Sequence, residues 1–515
     1  MLGTSYSLDT PSLSSLLEDC ISSNYDLGTA YGRLRTVWNT DNHSTIQDEL
    51  CRREENDREE RRKALVGNRI VYPWLQPRFV WDLYSNRVVP RWIADSDKPP
   101  QPISHAWMDE KDRINVWTPI NEREWPVPIP KDVNLNLVRI EMLNLGVEYT
   151  WLDVLCLRQE GGLKEDLRAE EWRLDVPTIG SVYESADQVV IYLSGLGKPL
   201  SLKAGDFDSD RCWFRRAWTL QEIGMWNRII AGDTPDGPMY AEPIDEDGNY
   251  KTEILTIFHR QLEAVKSVRG LFGALENMRN RVSTNPVDKV AGLAFPLRPT
   301  TIPAYHESES LEDAWTALVN AMHPWMRVYF LFLYPDIGRG CKKWRPTWEQ
   351  VMTGPLPANA DWLGSVDHDD STHVDWYEGP CIEKGLVQGL DVGSEGGDRY
   401  GELVVDGVDG MAHTFKILVT HQFPIPKDTY AMLGTHAQDY GNTIRDPQYW
   451  AIGRRLPEER FEKASVFIMN DLQEVKRLPR TWKLLWSLVI FLFNVYIKGT
   501  TYSFLRTTDP GLQYA

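Results

Sequence analysis

The chain has 515 residues, too many for one ordinary core, so two or three domains are expected. Hydrophobic residues at 42% and charged residues at 25% match a soluble globular protein. A net charge of −18 argues against a general nucleic-acid binder, which needs a basic face, and no nucleic-acid partner is expected.

Residues 1–66 read as helical: Leu13, Leu16, Leu17, Cys20 and Ile21 recur at helical spacing after Pro11, a good first-turn residue. Nearly every residue from 48 to 63 is charged, with both signs interleaved, which predicts a solvated helix without a function of its own. Residues 67–130 are rich in proline and tryptophan and predict turns and extended segments. Residues 102–107 then read as a short strand, and 134–145 as an apolar-periodic helix stopped by Gly146. Residues 149–157 read as a nearly continuous apolar strand, 165–186 as a helix broken at Pro177, and 188–193 as another strand. Residues 211–225 predict a helix, and 228–231 a last strand. Apolar strands alternating with helices predict a parallel sheet covered on both faces, with ligands at the carboxyl ends of its strands. No GxGxxG and no GxxxxGK followed by Ser or Thr succeeds any of these strands, which weakens the dinucleotide-fingerprint and P-loop readings.

Residues 233–250 form a Gly/Pro/Asp-rich loop, and helices resume over 253–281 and 310–322. Beyond about 351, short β runs such as 401–408, 414–419, 449–452 and 464–469 alternate with Gly, Asp and Pro clusters and predict a separate β-rich domain. Residues 484–497 carry no charge between Lys483 and Lys498. The run is shorter than the ~20 residues of a spanning helix, so a buried helix or strand and a membrane-associated tail both stand.

The 21 tryptophans imply large aromatic cores, or surfaces that grip flat ligands or partners. The 6 cysteines form no CxxC and no Cys/His pair at metal spacing, and no metal site is expected. They read as reduced thiols of an intracellular protein, and the first residues show no basic segment leading into an apolar core. The expected location is the cytoplasm, with membrane association through 484–497 as the variant of that reading.

Chemistry concentrates in a few residues. Asp153 sits among apolar neighbours and is either a salt-bridged or capping carboxylate, or a polar group at the mouth of the sheet. Ser104 and His105 are adjacent in a strand, point to opposite faces and cannot form a dyad. Cys156 reads as a small hydrophobe. Arg215 and Arg216 suit either a phosphate or an internal acid. Glu222 is the strongest catalytic candidate: Trp218 lies four residues before it, and a helix would stack the two on one face. On residue types alone, Glu222 divides evenly between a salt bridge and a site.

Residues 102–107 (Pro-Ile-Ser-His-Ala-Trp), 151–159 (Trp-Leu-Asp-Val-Leu-Cys-Leu-Arg-Gln) and 213–222 (Trp-Phe-Arg-Arg-Ala-Trp-Thr-Leu-Gln-Glu) form three ordered blocks. Together they resemble the fungal heterokaryon-incompatibility (HET) domain. Residues 179–193, 278–281 and 286–293 look like its linking and downstream stretches, and 461–467 resembles the tails of mushroom-type members. Met108 departs from the glycine usual after the first block, and Leu157-Arg158 from the usual isoleucine and small or polar residue.

The resemblance implies nonself recognition and regulated cell death. HET domains look like remote relatives of TIR domains. The implied fold is therefore α/β, a flavodoxin/TIR-like parallel sheet with helices on both faces, plus N-terminal helices and a C-terminal β-rich domain. The implied organisation is 1–66 helical, 67–300 HET domain with its core over 100–232, 301–350 a helical connector, 351–475 β-rich and 476–515 a basic and apolar tail. Many TIR domains cleave NAD with a glutamate in a Trp-Cys-x-x-Glu-Leu helix, and Trp218, Glu222 and Ile223 keep that spacing. The resemblance thus implies Glu222 as catalytic carboxylate, with Trp218, Trp107, Ser104, His105, Asp153 and Arg216 around the substrate. NAD is then a substrate, and no resident cofactor is implied. The rival implication is a non-catalytic signalling scaffold that acts by self-association and answers a protein trigger.

Overall fold

The computed structural model describes residues 11–37, 45–94, 98–108, 110–222, 227–266, 270–361, 363–393, 397–435, 447–458, 460–481 and 485–491. The chain divides into two compact units, 1–334 with 347–365, and 335–346 with 366–515.

The first unit begins with helices Pro11–Ser22, Leu27–Leu34 and Ile46–Ala64. The last of these buries only Ile46, Arg61 and Ala64, so its charges must sustain it. Glu49 pairs with Arg52 and Arg53, and Glu54 and Glu55 with Arg58, each pair adding a few tenths of a kcal/mol. Asp48 and Glu49 in the first turn and Arg61 to Lys63 in the last also match the helix dipole.

A six-stranded sheet follows, in the order Asn227–Ile230, Gln188–Tyr192, Gln101–His105, Tyr149–Trp151, Phe79–Asp82, Arg87–Pro90. The first four strands are mutually parallel. Phe79–Asp82 runs antiparallel to both of its neighbours. The sheet is therefore mixed, where the sequence pattern predicted a parallel one, because a hairpin from the Pro/Trp-rich stretch joins its edge. Helix Leu135–Asn144 starts on Asn134, whose side chain accepts from the Asn136 amide, and ends before Gly146 at φ +76°. The helical stretch around Pro177 divides into Glu165–Asp175 and Ile179–Ser185.

Two expected elements differ. The strand over 149–157 is Tyr149–Trp151 alone, followed by the short helix Asp153–Cys156. Asp153 Oδ1 accepts from the Val154 amide at 2.8 Å, which turns the chain out of the sheet at that point. Over 211–222 the expected helix is replaced by two 3₁₀ turns, Trp213–Arg215 and Trp218–Leu220, and residues 223–225 of that expected helix lie outside the described residues.

In the second unit, strands Val374–Gln388, Arg399–Asp406, Ala412–Val419, Arg460–Met469, Gln448–Leu456 and Asp428–Gly434 are neighbours in that order. The last pairs back onto the first, from Cys381 with Leu433 to Val387 with Asp428, so the six close into an antiparallel barrel without open edges. Alternating residues fill it, among them Ile382, Leu403, Phe415, Met432, Trp450 and Phe467. A bulge between Ile452 and Gly453 bends one wall, and a side chain at Gly453 would meet the Glu462 carbonyl at 2.0 Å. Near the start of strand Val374–Gln388, the buried Asp375 accepts from Lys342 Nζ at 2.5 Å and Trp344 Nε1 at 3.0 Å, and lies 2.5 Å from His368 Nδ1. The apolar run over 484–497 is in part a strand: Leu485–Phe491 pairs antiparallel with Asp375 to Cys381. Residues 484 and 492–497 lie outside the described residues. Among the described residues, no helix is long and apolar enough to cross a membrane.

Candidate functional site

Strand Gln101–His105 is the third in the sheet order, and its carboxyl end carries Ser104, His105 and, just beyond, Trp107. Tyr192 is paired with His105, and Trp151 with Pro102, so the neighbouring parallel strands end beside it. Strand alternation sends the two polar side chains apart. Ser104 Oγ donates to Glu222 Oε2 at 2.5 Å and accepts from Trp213 Nε1 at 2.7 Å. His105 Nε2 lies 2.9 Å from Asp153 Oδ1, and Trp107 Nε1 donates to Asp153 Oδ2 at 2.7 Å. The His105 and Trp107 rings stack with centroids 6.0 Å apart, and Arg113 lies over the Trp107 ring at 5.1 Å. Ser104 and His105 therefore form no dyad; each meets a different carboxylate.

The two carboxylates titrate in opposite directions. Burial raises Glu222 from 4.5 to about 7; the Ser104 hydrogen bond opposes this and the Asp153 charge assists it, while His105 and Arg281 oppose it. Asp153 is held below its ordinary value: burial works against ionisation, but the His105 charge and the bonds from His105, Trp107 and Val154 outweigh it. His105 is raised, because the same Asp153 pairing and the Glu222 charge overcome burial. Asp153 and His105 are thus each shifted toward the charged form by the other, beside a carboxyl group raised to about 7. Glu222 and Trp107 are half-buried, and Asp153 keeps 21% of its side-chain surface exposed.

Glu222 reaches this place by a route the sequence pattern misses. At Arg216 the backbone is extended, with φ −79° and ψ 136°, and bridges to Val282. The Val282 amide donates to the Arg215 carbonyl at 2.6 Å and the Ala217 amide to the Val282 carbonyl at 2.9 Å. That pairing breaks the helix between its first and second turns. Thr219 Oγ1 lies 2.7 Å from the Trp213 carbonyl and 2.8 Å from that of Arg216. The buried Arg281 donates from Nη1 to the Arg216 carbonyl and to Thr219 Oγ1, both at 2.7 Å. Each buried polar group left unpaired costs about 1–3 kcal/mol, so these bonds bind the irregular segment to the chain following helix Gly270–Arg279.

The predicted residues divide into two groups. Ser104, His105, Trp107, Asp153 and Glu222 come together. Trp218 and Arg216 instead turn to Asp288, which burial raises to about 6 against the hydrogen bonds of Tyr305 and Trp218 and the charge of Arg216. The Trp218 and Tyr305 rings are 6.4 Å apart, and Tyr305 donates to Asp288 Oδ1 at 2.8 Å. The stacking of Trp218 over Glu222 expected from a helix does not occur, because there is no helix. Sequence reasoning missed Trp213 and Arg281 as members of the site. Trp213 stood within the third block and Arg281 in the 278–281 stretch, but only tertiary contact shows what they touch. Among the described residues, no group of His, Cys, Asp and Glu is arranged to hold a metal ion.

Comparison with curated proteins and comparison with solved structures each gave no match. One family model matches, described as Heterokaryon incompatibility protein (HET), over residues 101–208. The matched segment holds Ser104, His105, Trp107 and Asp153, while Glu222 and Arg281 follow it. Residues 101–208 of this chain are therefore a heterokaryon-incompatibility (HET) domain segment, and its polar face is half of the site built around Glu222.

Proposed function

We propose that the protein is a heterokaryon-incompatibility effector that cleaves NAD at the nicotinamide–ribose bond, with Glu222 as the catalytic carboxylate on a TIR-like sheet. The observation that carries this reading is a half-buried glutamate whose carboxyl group is raised to about 7 by burial and held by Ser104, at the carboxyl end of parallel strands. The ribose C1′–N bond breaks with its electron pair passing to the pyridinium nitrogen, and the ionised Glu222 stabilises the oxocarbenium left at C1′. Water adds at C1′ and yields its proton to Glu222, whose affinity for a proton near pH 7 suits that step. Trp107 offers a ring face to a flat base. Ser104 positions Glu222, and Asp153 orients His105. Arg216, beside Asp288, is left for a more distant part of the substrate.

Nicotinamide release by purified protein, at concentrations that promote self-association, tests this reading. Release should rise with pH through about 7, and Glu222→Gln should lower it about 100-fold or more. Full activity in that variant removes Glu222 from catalysis. A native protein that releases none favours the second reading, a HET signalling scaffold acting by self-association and partner binding. One observation speaks for it: the buried Arg281 feels the Glu222 charge as a structural ion pair would.

A further inference from the structure

Trp107 links the site to a cation at its rim. Its Nε1 donates to Asp153 Oδ2 at 2.7 Å, and the guanidinium of Arg113 lies over its ring, 5.1 Å from the centroid. Asp153 in turn lies 2.9 Å from His105 Nε2, and both residues act on the Glu222 charge. Arg113 is thus one indole away from the polar end of the site. Its backbone is fixed in place: Arg113 pairs with Pro130 in the hairpin of strands Arg113–Val116 and Val127–Pro130, and the Lys131 amide donates to the Asp112 carbonyl at 3.1 Å. The adjacent Asp112 carboxylate is engaged by Arg211 Nη1 at 3.0 Å. Arg113 itself is half-buried. A guanidinium held over an aromatic face keeps its N–H donors in its own plane, where they can fork onto an oxyanion. The indole meets Asp153 with its edge and Arg113 with its face, so carboxylate and cation lie on different sides of it.

NAD brings a doubly charged pyrophosphate to a chain whose net charge is −18. An acidic protein holds such a ligand where a local cation offsets its own field. The carboxylates of Asp153 and Glu222 add to the repulsion on the side where the ribose is cleaved, so the phosphates belong beyond Trp107. We propose that Arg113 binds the pyrophosphate of the substrate through a forked, charge-assisted contact at the rim of the site. The proposal rests on the reading of Glu222 as the carboxylate that cleaves NAD, and it names the residue that holds the charged part of that substrate.

The test compares NAD with nicotinamide riboside, which keeps the cleaved bond and carries no phosphate. Arg113→Gln removes the charge and keeps a polar side chain. It should narrow the kcat/KM preference for NAD over the riboside by about tenfold or more, chiefly through KM, because a charge-assisted contact to the phosphates is lost. Arg113→Lys restores the charge without the fork and should recover part of the preference. An equal loss on NAD and on the riboside overturns the proposal, leaves NAD cleavage standing and assigns Arg113 to holding Trp107. A preference unchanged in Arg113→Gln overturns it as well. Where the native protein releases no nicotinamide, calorimetry with ADP-ribose decides, since that compound carries the pyrophosphate and needs no cleavage. ADP-ribose binding that weakens about tenfold in Arg113→Gln supports the phosphate site while the hydrolase reading fails. Equal binding by the two proteins overturns the proposal, and no binding by either overturns it together with the hydrolase reading.

Discussion

A carboxyl group that half ionises near pH 7 makes folding itself depend on pH. Between its ordinary 4.5 and its raised value of about 7, Glu222 holds in the folded chain a proton that the unfolded chain has released. Stability contributed by this group therefore falls as pH rises through that window, by up to about 3 kcal/mol. Glu222→Gln keeps an acceptor for Ser104 and cannot ionise. Its thermal midpoint should equal that of the native protein near pH 4 and exceed it at pH 8. Equal differences at both pH values would mean that Glu222 ionises as an ordinary surface carboxylate. Asp153 acts in the opposite sense, because its lowered value contributes stability that is lost only as pH falls, whereas the raised His105, like Glu222, loses its contribution as pH rises through its folded value.

At the scale of elements, the segment from Trp213 to Glu222 is the informative one. Its residue types favour a helix, yet its backbone is drawn into a bridge with Val282 and held by one hydroxyl and one guanidinium. Thr219→Val removes the hydroxyl without changing the shape of the side chain. It leaves an Arg281 N–H unpaired, takes from the Trp213 carbonyl one of its two donors (the Arg216 amide remains), and should cost about 1–3 kcal/mol in urea unfolding. Thr219→Ser should recover most of that loss. Nicotinamide release should fall in the valine variant, because Glu222 is carried at the end of the loosened turn. Other elements were legible in advance for local reasons. The charge-laced helix Ile46–Ala64, the stop at Gly146, the break at Pro177 and the strand Gln188–Tyr192 each follow from residues acting on their own backbone. The shortened strand Tyr149–Trp151 was not legible, since apolar residues continue past it and only the Asp153 side chain marks the turn.

For the whole molecule, two compact units with separate cores predict unfolding in two steps rather than one. Asp375 provides the marker for the second unit. Burial opposes its ionisation, yet His368, Lys342 and Arg345 hold it below the ordinary carboxylate value. Asp375→Asn leaves the buried Lys342 charge without its carboxylate, which costs about 3–5 kcal/mol. Calorimetry of the full chain should show one transition lowered and the other unmoved, with nicotinamide release at 25 °C unchanged. A single transition that moves as a whole would show that the two units unfold together.

The sequence by itself determined the residue blocks that mark the HET segment, the alternation of strands and helices that makes an α/β sheet, and the β-rich texture of the C-terminal part. Those are local properties: propensity, periodicity and turn chemistry act over a few residues, and the chain displays them in order. Tertiary structure alone decided that the sheet is mixed, that the C-terminal strands close into a barrel, and that Glu222 meets Ser104 while Trp218 turns to Asp288. Each of these depends on a backbone bridge or a buried hydrogen bond between residues far apart in the chain. Such contacts leave no period in the sequence, because the partner that satisfies a polar group is chosen by the fold and not by its neighbours.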